Sequence, residues 1–179
     1  GLGNVGSKIA KNLINNGFKL TVLDLNETLS TSFKDIGAKW ASSPKELAIN
    51  SEMIITCLPS PKACSDVMEG EEGVIKGLSK GKIWAEMSTT DFEEVKRIGN
   101  LVSAVSGEPM DCPVSGGCHR AATGNISIFA GTQRGTFERA LPVLKTMGRR
   151  ILHTGDLGSA SILKVATNYL ATTNLISVS

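Results

Sequence analysis

The stretch Gly1-Leu2-Gly3-Asn4-Val5-Gly6 decides the fold of this chain. Apolar residues then recur at four-residue intervals up to Leu13, which predicts an amphipathic helix that Asn16-Gly17 ends. Residues 19–23 form a strand pattern, and an acid, Asp24, follows it directly. A glycine turn, a helix and then a strand that ends in an acid are the layout of a dinucleotide-binding unit.

Each glycine has its own predicted role in such a unit. Gly1 permits a tight turn, Gly3 lets the backbone approach a pyrophosphate, and Gly6 lets the helix pack closely on the sheet. The pyrophosphate is then expected to lie on free N–H groups at the positive end of the helix. The strand that normally precedes the first glycine is not part of this sequence. A purely structural glycine turn is therefore the alternative.

Asp24 bears on which dinucleotide binds. A carboxylate at this position accepts hydrogen bonds from the adenosine ribose hydroxyls and repels a 2′-phosphate. The next residue is Leu25, so no arginine follows to bind that phosphate. The sequence therefore favours NAD over NADP, with NADP kept open. The alternative is that Asp24 only caps the following helix.

Helix and strand patterns alternate along the rest of the chain. Helices are predicted at residues 27–36, 61–68, 91–105 and 134–147, near Ser43-Pro44, and after Gly158; strands are predicted at 39–40, 53–57, 82–86, 126–130 and 150–153, and near Met110. The run 53–57 is apolar throughout, which predicts a strand covered on both faces. This alternation predicts an α/β fold with a Rossmann-type, doubly wound, mostly parallel sheet that lacks its first strand.

Composition and charge exclude several other classes. The 179 residues are 41% hydrophobic, which suits one globular domain. The absence of a basic run and an aromatic content of 4% argue against a nucleic-acid partner. No apolar run approaches the roughly 18 residues of a membrane helix. The scattered cysteines are typical of reduced intracellular thiols and fit no common zinc spacing, so we expect no metal; they are Cys57, Cys64, Cys112 and Cys118.

Three further loops follow predicted strands, where ligands bind in open α/β sheets. They cover residues 57–61, 87–90 and 111–117. In the third loop, Ser115-Gly116-Gly117 can bend the backbone so that successive N–H groups converge on an anion such as a carboxylate. The alternatives are ordinary turns with helix caps for the first two loops and a flexible turn for the third.

Lys164 and Asn168 lie four residues apart in the last predicted helix and so share one of its faces. The residues around them are mostly apolar, which predicts a well-buried helix. Burial lowers the pKa of a lysine, so Lys164 is a candidate proton acceptor near neutral pH. Asn168 is a candidate for holding the lysine or a substrate hydroxyl. A solvated surface lysine is the alternative.

The glycine turn, the three loops and the pair Lys164 and Asn168 follow one another along the chain in an order that resembles the β-hydroxyacid dehydrogenase family, typified by 3-hydroxyisobutyrate dehydrogenase. The resemblance extends over all 179 residues. The resemblance implies an NAD(P)-dependent oxidoreductase that oxidises a small 3-hydroxy acid or reduces the matching semialdehyde, with Lys164 as general acid and base. It implies cofactor contacts from Gly1, Leu2, Gly3, Asn4, Val5, Gly6, Asp24, Leu58, Pro59 and Thr89. It also implies a small carboxylate-bearing substrate held by Ser115, Gly116, Gly117 and Asn168.

The resemblance also sets expectations for domain organisation. Residues 1–157 are expected to form the dinucleotide-binding domain, truncated at its start, and residues 158–179 the beginning of an interdomain helix. Beyond this helix, the resemblance implies an all-helical domain that supplies part of the active site and forms the homo-oligomer. This fragment alone should therefore be inactive. The expected location is intracellular, cytoplasmic or mitochondrial.

Two other functions stay open. One is a 6-phosphogluconate dehydrogenase-like enzyme, although that family has a histidine directly before the helix asparagine and this chain has Thr167. The other is a non-catalytic NAD(P)-binding module, although relatives of that kind have lost the lysine that this chain keeps as Lys164.

Overall fold

A computed structural model describes residues 1–177, in which helices and strands alternate. The helices are α1 (Gly6–Asn15), α2 (Leu29–Asp35), α3 (Pro44–Ile49), α4 (Pro61–Glu69), α5 (Phe92–Ala104), α6 (Gly117–Ala122), α7 (Arg134–Met147) and α8 (Ser159–Ser177). The strands are β1 (Thr21–Val22), β2 (Lys39–Trp40), β3 (Met53–Thr56), β4 (Ile83–Glu86), β5 (Glu108–Asp111), β6 (Val114–Ser115), β7 (Ile126–Gly131) and β8 (Gly148–Gly155). The predicted α/β class is confirmed.

The described strands form a two-stranded and a six-stranded sheet. The first pairs β1 with β2, and the second has the order β3-β4-β5-β7, with β6 and β8 both paired to β7. Four of these pairings are parallel, as predicted, whereas β7 runs antiparallel to β5 and β6. The sequence patterns did not predict this reversal, because the two short elements that turn the chain back, β6 and α6, are too brief to show a periodicity.

A slot of about 550 Å³ separates the two sheets, and α1, β1 and β3 line it. Met53 and Ile55 lie at this slot and are only half-buried, whereas Ile54 and Thr56 on the other face of β3 are buried. The prediction that this strand is covered on both faces is therefore right for one face only. In the Rossmann order the first strand lies between the second and the fourth, so the slot matches the expected sheet without that strand.

Apolar clusters cover both faces of the larger sheet. Ala85 belongs to the cluster in which α1 and α7 pack on the sheet, and its neighbour Trp84 belongs to the cluster formed with α4 and α5. Both side chains are fully buried. Because consecutive strand residues point to opposite faces, this pair shows that β4 is a central strand of a doubly wound sheet.

The last helix departs from its prediction. Of the side chains described in α8, only Ala160, Ser161 and Lys164 are buried, whereas Val165 and Tyr169 are more than half exposed. The prediction of a well-buried helix is wrong beyond its first turns, because those turns pack on β5, β7 and β8 and no described element covers the rest. Residues 178–179 of the predicted helix lie outside the described residues.

Within residues 1–177, no helix has both the length and the hydropathy that crossing a membrane requires.

Candidate active site

The glycine turn packs against the end of β3. A Cβ atom on Gly1 would collide with the carbonyl oxygen of Cys57, and a Cβ atom on Gly6 would collide with that of Gly1. The space around Gly3 is open to at least 4 Å. Close packing therefore explains the first and third glycines, and the second leaves the backbone accessible to a ligand, as its predicted role requires.

The start of α1 offers unused hydrogen-bond donors. Within residues 1–177, the N–H groups of Asn4 and Val5 make no hydrogen bond, whereas Gly6 N donates to the Cys57 thiol and Ser7 N donates to Gly3 O at 3.0 Å. Free N–H groups and the positive end of the helix dipole together suit an anion such as a pyrophosphate. The donor set of this turn therefore fits the predicted cofactor.

Asp24 holds the glycine turn against the end of β1. Its Oδ2 accepts a hydrogen bond from Leu2 N at 2.6 Å, and its Oδ1 accepts one from Asn26 N at 2.8 Å. Because α2 begins only after Thr28, Asp24 does not cap that helix. Each carboxylate oxygen keeps acceptor capacity, so a ribose hydroxyl could still be bound. The side chain of Leu2 packs in the core, so it is not exposed for contact with a cofactor.

The loops that follow β3 and β4 are joined to each other. Leu58 N donates to Ser88 Oγ at 2.8 Å, and Ser88 N donates to Glu86 Oε1 at 2.7 Å. Leu58 also lies beside Gly1, so this pair of loops adjoins the glycine turn. The neighbouring residues Pro59 and Thr89 are exposed. The structure thus brings the predicted cofactor residues of three loops together at one edge of the sheet.

One polar atom in the second of these loops has no partner. Thr90 Oγ1 is buried and makes no hydrogen bond within residues 1–177. A buried hydroxyl without a partner is costly unless water or a ligand satisfies it. The atom is therefore a candidate contact for whatever binds beside residues 87–90.

Asp111 anchors the start of α8. Its Oδ1 accepts from Gly158 N at 2.7 Å, and its Oδ2 accepts from Ser161 N at 2.7 Å and from Ser161 Oγ at 2.9 Å. The side chain is fully buried. Burial raises the pKa of Asp111, and the hydrogen bonds from Gly158 and Ser161 offset part of that rise. These contacts fix the first turn of the helix that carries Lys164.

Lys164 follows Ser161 by one helical turn and points to the same side. Only 8% of Lys164 is exposed, and burial lowers the pKa of its amine. No hydrogen bond or ion pair to its Nζ occurs among the described residues, so no described carboxylate stabilises the charged form. The position therefore supplies the desolvation that a proton-accepting lysine needs. Asn168, one turn further on, is exposed and makes no hydrogen bond to Lys164.

The Ser-Gly-Gly loop makes a sharp turn between β6 and α6. Ser115 ends β6, and φ is +129° at Gly116 and +73° at Gly117, values that favour glycine at both positions. No hydrogen bond within residues 1–177 joins this loop to Lys164. The convergence of its N–H groups on a substrate carboxylate stays a prediction.

The two buried carboxyl groups that hold the cofactor loops and the start of α8 lie on neighbouring strands. Glu86 and Asp111 are in register on the parallel strands β4 and β5, at the carboxyl ends of both. Ligands bind at this edge in open α/β sheets. Among residues 1–177, no cluster of three or more His, Cys, Asp or Glu side chains is arranged to hold a metal ion.

Comparison with known proteins identifies the family. The profile of the family described as the NAD binding domain of 6-phosphogluconate dehydrogenase matches residues 1–155. The chain belongs to this family of NAD-binding domains. The predicted dinucleotide-binding fold is therefore confirmed, and with it an NAD(P) cofactor. The match ends before Lys164 and Thr167, so it does not distinguish among the enzymes that carry the domain.

Curated relatives and solved structures support the resemblance to β-hydroxyacid dehydrogenases. Rat mitochondrial 3-hydroxyisobutyrate dehydrogenase is 35% identical over 98% of this chain and 52% of its own length. The 3-hydroxyisobutyrate dehydrogenase of Mycobacterium tuberculosis, described with L-serine, superposes with a TM-score of 0.94 at 25% identity over 99% of this chain and 60% of its own. An imine reductase from Myxococcus stipitatus shares the fold, with a TM-score of 0.91 at 19% identity over 99% of this chain and 61% of its own.

This chain spans about half the length of the curated relatives it matches. Sequence patterns in the chain pointed to the binding turn and to Lys164, but they gave no role to Glu86, Ser88 or Asp111. A signal existed for Glu86 alone, which ends the otherwise apolar strand β4, where a buried carboxyl group needs hydrogen-bond partners.

Proposed function

We propose that the full-length protein is an NAD(P)-dependent oxidoreductase that oxidises a small 3-hydroxy acid of the 3-hydroxyisobutyrate type or reduces the matching semialdehyde. The observation that carries this proposal is Lys164, a buried amine without a hydrogen-bond partner among the described residues. It is anchored through Asp111 to the strand beside β4, at whose end the cofactor loops lie. Buried lysines are costly, and a catalytic role explains why one is placed at this edge.

The binding half of the site fits a dinucleotide. The free N–H groups of Asn4 and Val5 would hold the pyrophosphate, with Gly6 beside them at the start of α1, and Asp24 would bind the adenosine ribose, which favours NAD. Leu58, Pro59 and Thr89 would contact the remainder of the molecule. A bound nicotinamide supplies the hydride acceptor in oxidation and the hydride donor in reduction.

The chemical half of the site would handle the proton. In oxidation, the neutral amine of Lys164 accepts the proton of the substrate hydroxyl group. In reduction, the ammonium group of Lys164 returns a proton to the alkoxide oxygen. Ser115, Gly116 and Gly117 would bind the substrate carboxylate, and Asn168 would orient the substrate hydroxyl.

The exposed part of α8 bears on domain organisation. Apolar residues more than half exposed recur along it, among them Ile162, Val165, Tyr169, Leu170 and Leu175. So many exposed large apolar side chains on one helix are typical of a segment that other protein surfaces cover. We therefore infer that residues 158–179 lead to a further helical domain, that the whole protein is a homo-oligomer, and that residues 1–179 alone do not turn over substrate.

The names of two relatives bear on location. The rat and Dictyostelium discoideum proteins are both named as mitochondrial. We infer an intracellular location, cytoplasmic or mitochondrial.

A substrate panel tests the activity. The full-length protein is mixed with NAD or NADP and with 3-hydroxyisobutyrate, 6-phosphogluconate or a 2-hydroxy acid, and the absorbance of the reduced nicotinamide is followed. We expect turnover with 3-hydroxyisobutyrate at least about a hundredfold faster than with the other two. The 2-hydroxy acid places its hydroxyl group out of the alignment that catalysis needs. 6-Phosphogluconate also has a 3-hydroxyl group, but its longer chain and its phosphate must be accommodated as well. Turnover of 6-phosphogluconate alone would replace this proposal by the 6-phosphogluconate dehydrogenase-like alternative.

A further inference from the structure

Glu86 is a buried carboxyl group that the proposed chemistry does not use. It is 1% exposed, and three donors converge on it. Oε1 accepts from Ser88 N at 2.7 Å, and Oε2 accepts from Thr56 Oγ1 at 2.7 Å and from Cys64 Sγ at 2.7 Å. The donors come from the loop after β4, from β3 and from α4, so one side chain connects three elements.

These hydrogen bonds continue in both directions. Ser88 Oγ accepts from Leu58 N at 2.8 Å, which extends the network to the loop after β3. On the other side, Trp84 Nε1 donates to Thr56 Oγ1 at 2.9 Å, and this bond leaves the threonine hydroxyl proton directed at Glu86. The loops after β3 and β4 are thereby held in one relative position.

The stability of the core does not account for the hydrogen-bond network around Glu86. Burying a carboxyl group costs free energy that an apolar side chain of similar size would not cost, so stability alone does not explain a glutamate here. Position offers an explanation, because the residues it fixes, Ser88 and Leu58, belong to loops that adjoin the glycine turn.

We infer that Glu86 is a positioning residue for the dinucleotide: through Ser88 and Leu58 it holds the two loops in the spacing that the bound cofactor requires. The inference rests on the proposed cofactor site. It assigns Glu86 a function in binding affinity, separate from the chemical step at Lys164.

A carboxyl group suits this role better than an amide of the same shape. All three partners are donors, and Oε1 and Oε2 accept from different ones. A glutamine would turn its NH₂ group either to Ser88 N or to Thr56 and Cys64. Either orientation places a donor against a donor or leaves a buried hydroxyl proton without an acceptor.

Ser88→Ala is the mildest test, because it removes the link to Leu58 and leaves Glu86 in place. The matched control is Ser43→Ala, which also removes a serine Oγ that accepts from one backbone N–H, at the start of α3. In the full-length protein we expect Ser88→Ala to raise the Kd and the KM for NAD about tenfold, with kcat changed less than about threefold. Both variants should lower Tm by a few degrees, but Ser43→Ala should leave the Kd for NAD within about twofold of the wild-type value.

Glu86→Gln gives the larger effect on the same quantity, with the Kd for NAD raised about thirtyfold in protein that is still folded by circular dichroism. If Ser88→Ala lowers Tm but keeps the wild-type Kd and KM, the network is only structural and the inference is wrong. If the wild-type protein itself does not bind NAD or NADP in calorimetry, the proposed cofactor site fails as well, and that result is visible before any variant is made.

Discussion

Glu86 and Asp111 are two buried carboxyl groups in register on adjacent parallel strands, and they hold different parts of the site. Each accepts three hydrogen bonds. Those of Glu86 come from three separate elements and join two loops, whereas those of Asp111 come from a single helix start at Gly158 and Ser161. The same chemical group therefore fixes the binding loops on one strand and the chemical helix on the next.

The cofactor loops and the helix that carries Lys164 are therefore held by separate sets of hydrogen bonds. No hydrogen bond within residues 1–177 runs directly between the two carboxyl groups or between Lys164 and the loop at Ser88. Substitutions at the β4 end should then change cofactor affinity, and substitutions at the β5 end should change the chemical step or the position of α8.

Lys164→Ala in the full-length protein should lower kcat about a thousandfold, because the substrate hydroxyl loses its proton acceptor. The Kd for NAD should stay within about twofold, since no hydrogen bond within residues 1–177 joins a cofactor loop to the Lys164 amine. Steady-state kinetics and calorimetry give the two values. Lys145→Ala, at an exposed lysine of α7, is the control and should behave as the wild type. Turnover of the Lys164 variant at the wild-type rate would remove this residue from the mechanism.

The pH profile should report the same lysine. Burial lowers the pKa of Lys164, so its neutral form becomes available at a lower pH than for a solvated lysine. Oxidation needs the neutral amine, and kcat/KM should therefore rise about tenfold per pH unit below that pKa and level off above it. Reduction needs the ammonium form, so kcat/KM for reduction should be level below that pKa and fall above it. A Lys164→Arg variant, which stays protonated, should lose the rise; an unchanged profile would contradict the assignment.

Asp111→Asn should destabilise the protein by about 2 kcal/mol, because both carboxylate oxygens accept from N–H groups and an amide must oppose one of them with its own NH₂. Urea denaturation measures the loss. The matched control is Asp91→Asn at the N-cap of α5, where asparagine caps as well as aspartate and the change should be under about 0.5 kcal/mol. Equal effects of the two substitutions would show that Asp111 is no special anchor.

Asp24→Asn should have the smallest effect. NAD should bind about tenfold more weakly, because the amide is a poorer acceptor for a ribose hydroxyl and for Leu2 N. NADP should lose less, since the carboxylate that repels a 2′-phosphate is gone. Calorimetric titration with both dinucleotides measures the ratio, with Asp35→Asn on the exposed side of α2 as the control. Wild-type protein that binds NADP more tightly than NAD would overturn the preference.

Local patterns predicted most of the elements. The helix at residues 134–147 coincides with its prediction, and β3 and β4 each differ from theirs by one residue at one end. These elements follow from apolar patterns whose signals lie within a few positions of each other. The antiparallel entry of β7 was missed, because strand direction depends on how a short loop returns to the sheet.

Sequence patterns alone identified the glycine turn, the acid that follows β1 and the lysine on the last helix, because each is a residue type at a fixed spacing. The packed fold was needed to show that Asp111 accepts hydrogen bonds from Ser161, fifty positions away, and that Glu86 accepts one from Thr56, thirty positions away. The fold was also needed to show that α8 is largely exposed. Burial and hydrogen-bond partners of this kind arise when distant segments pack together, and no local pattern specifies which segments those are.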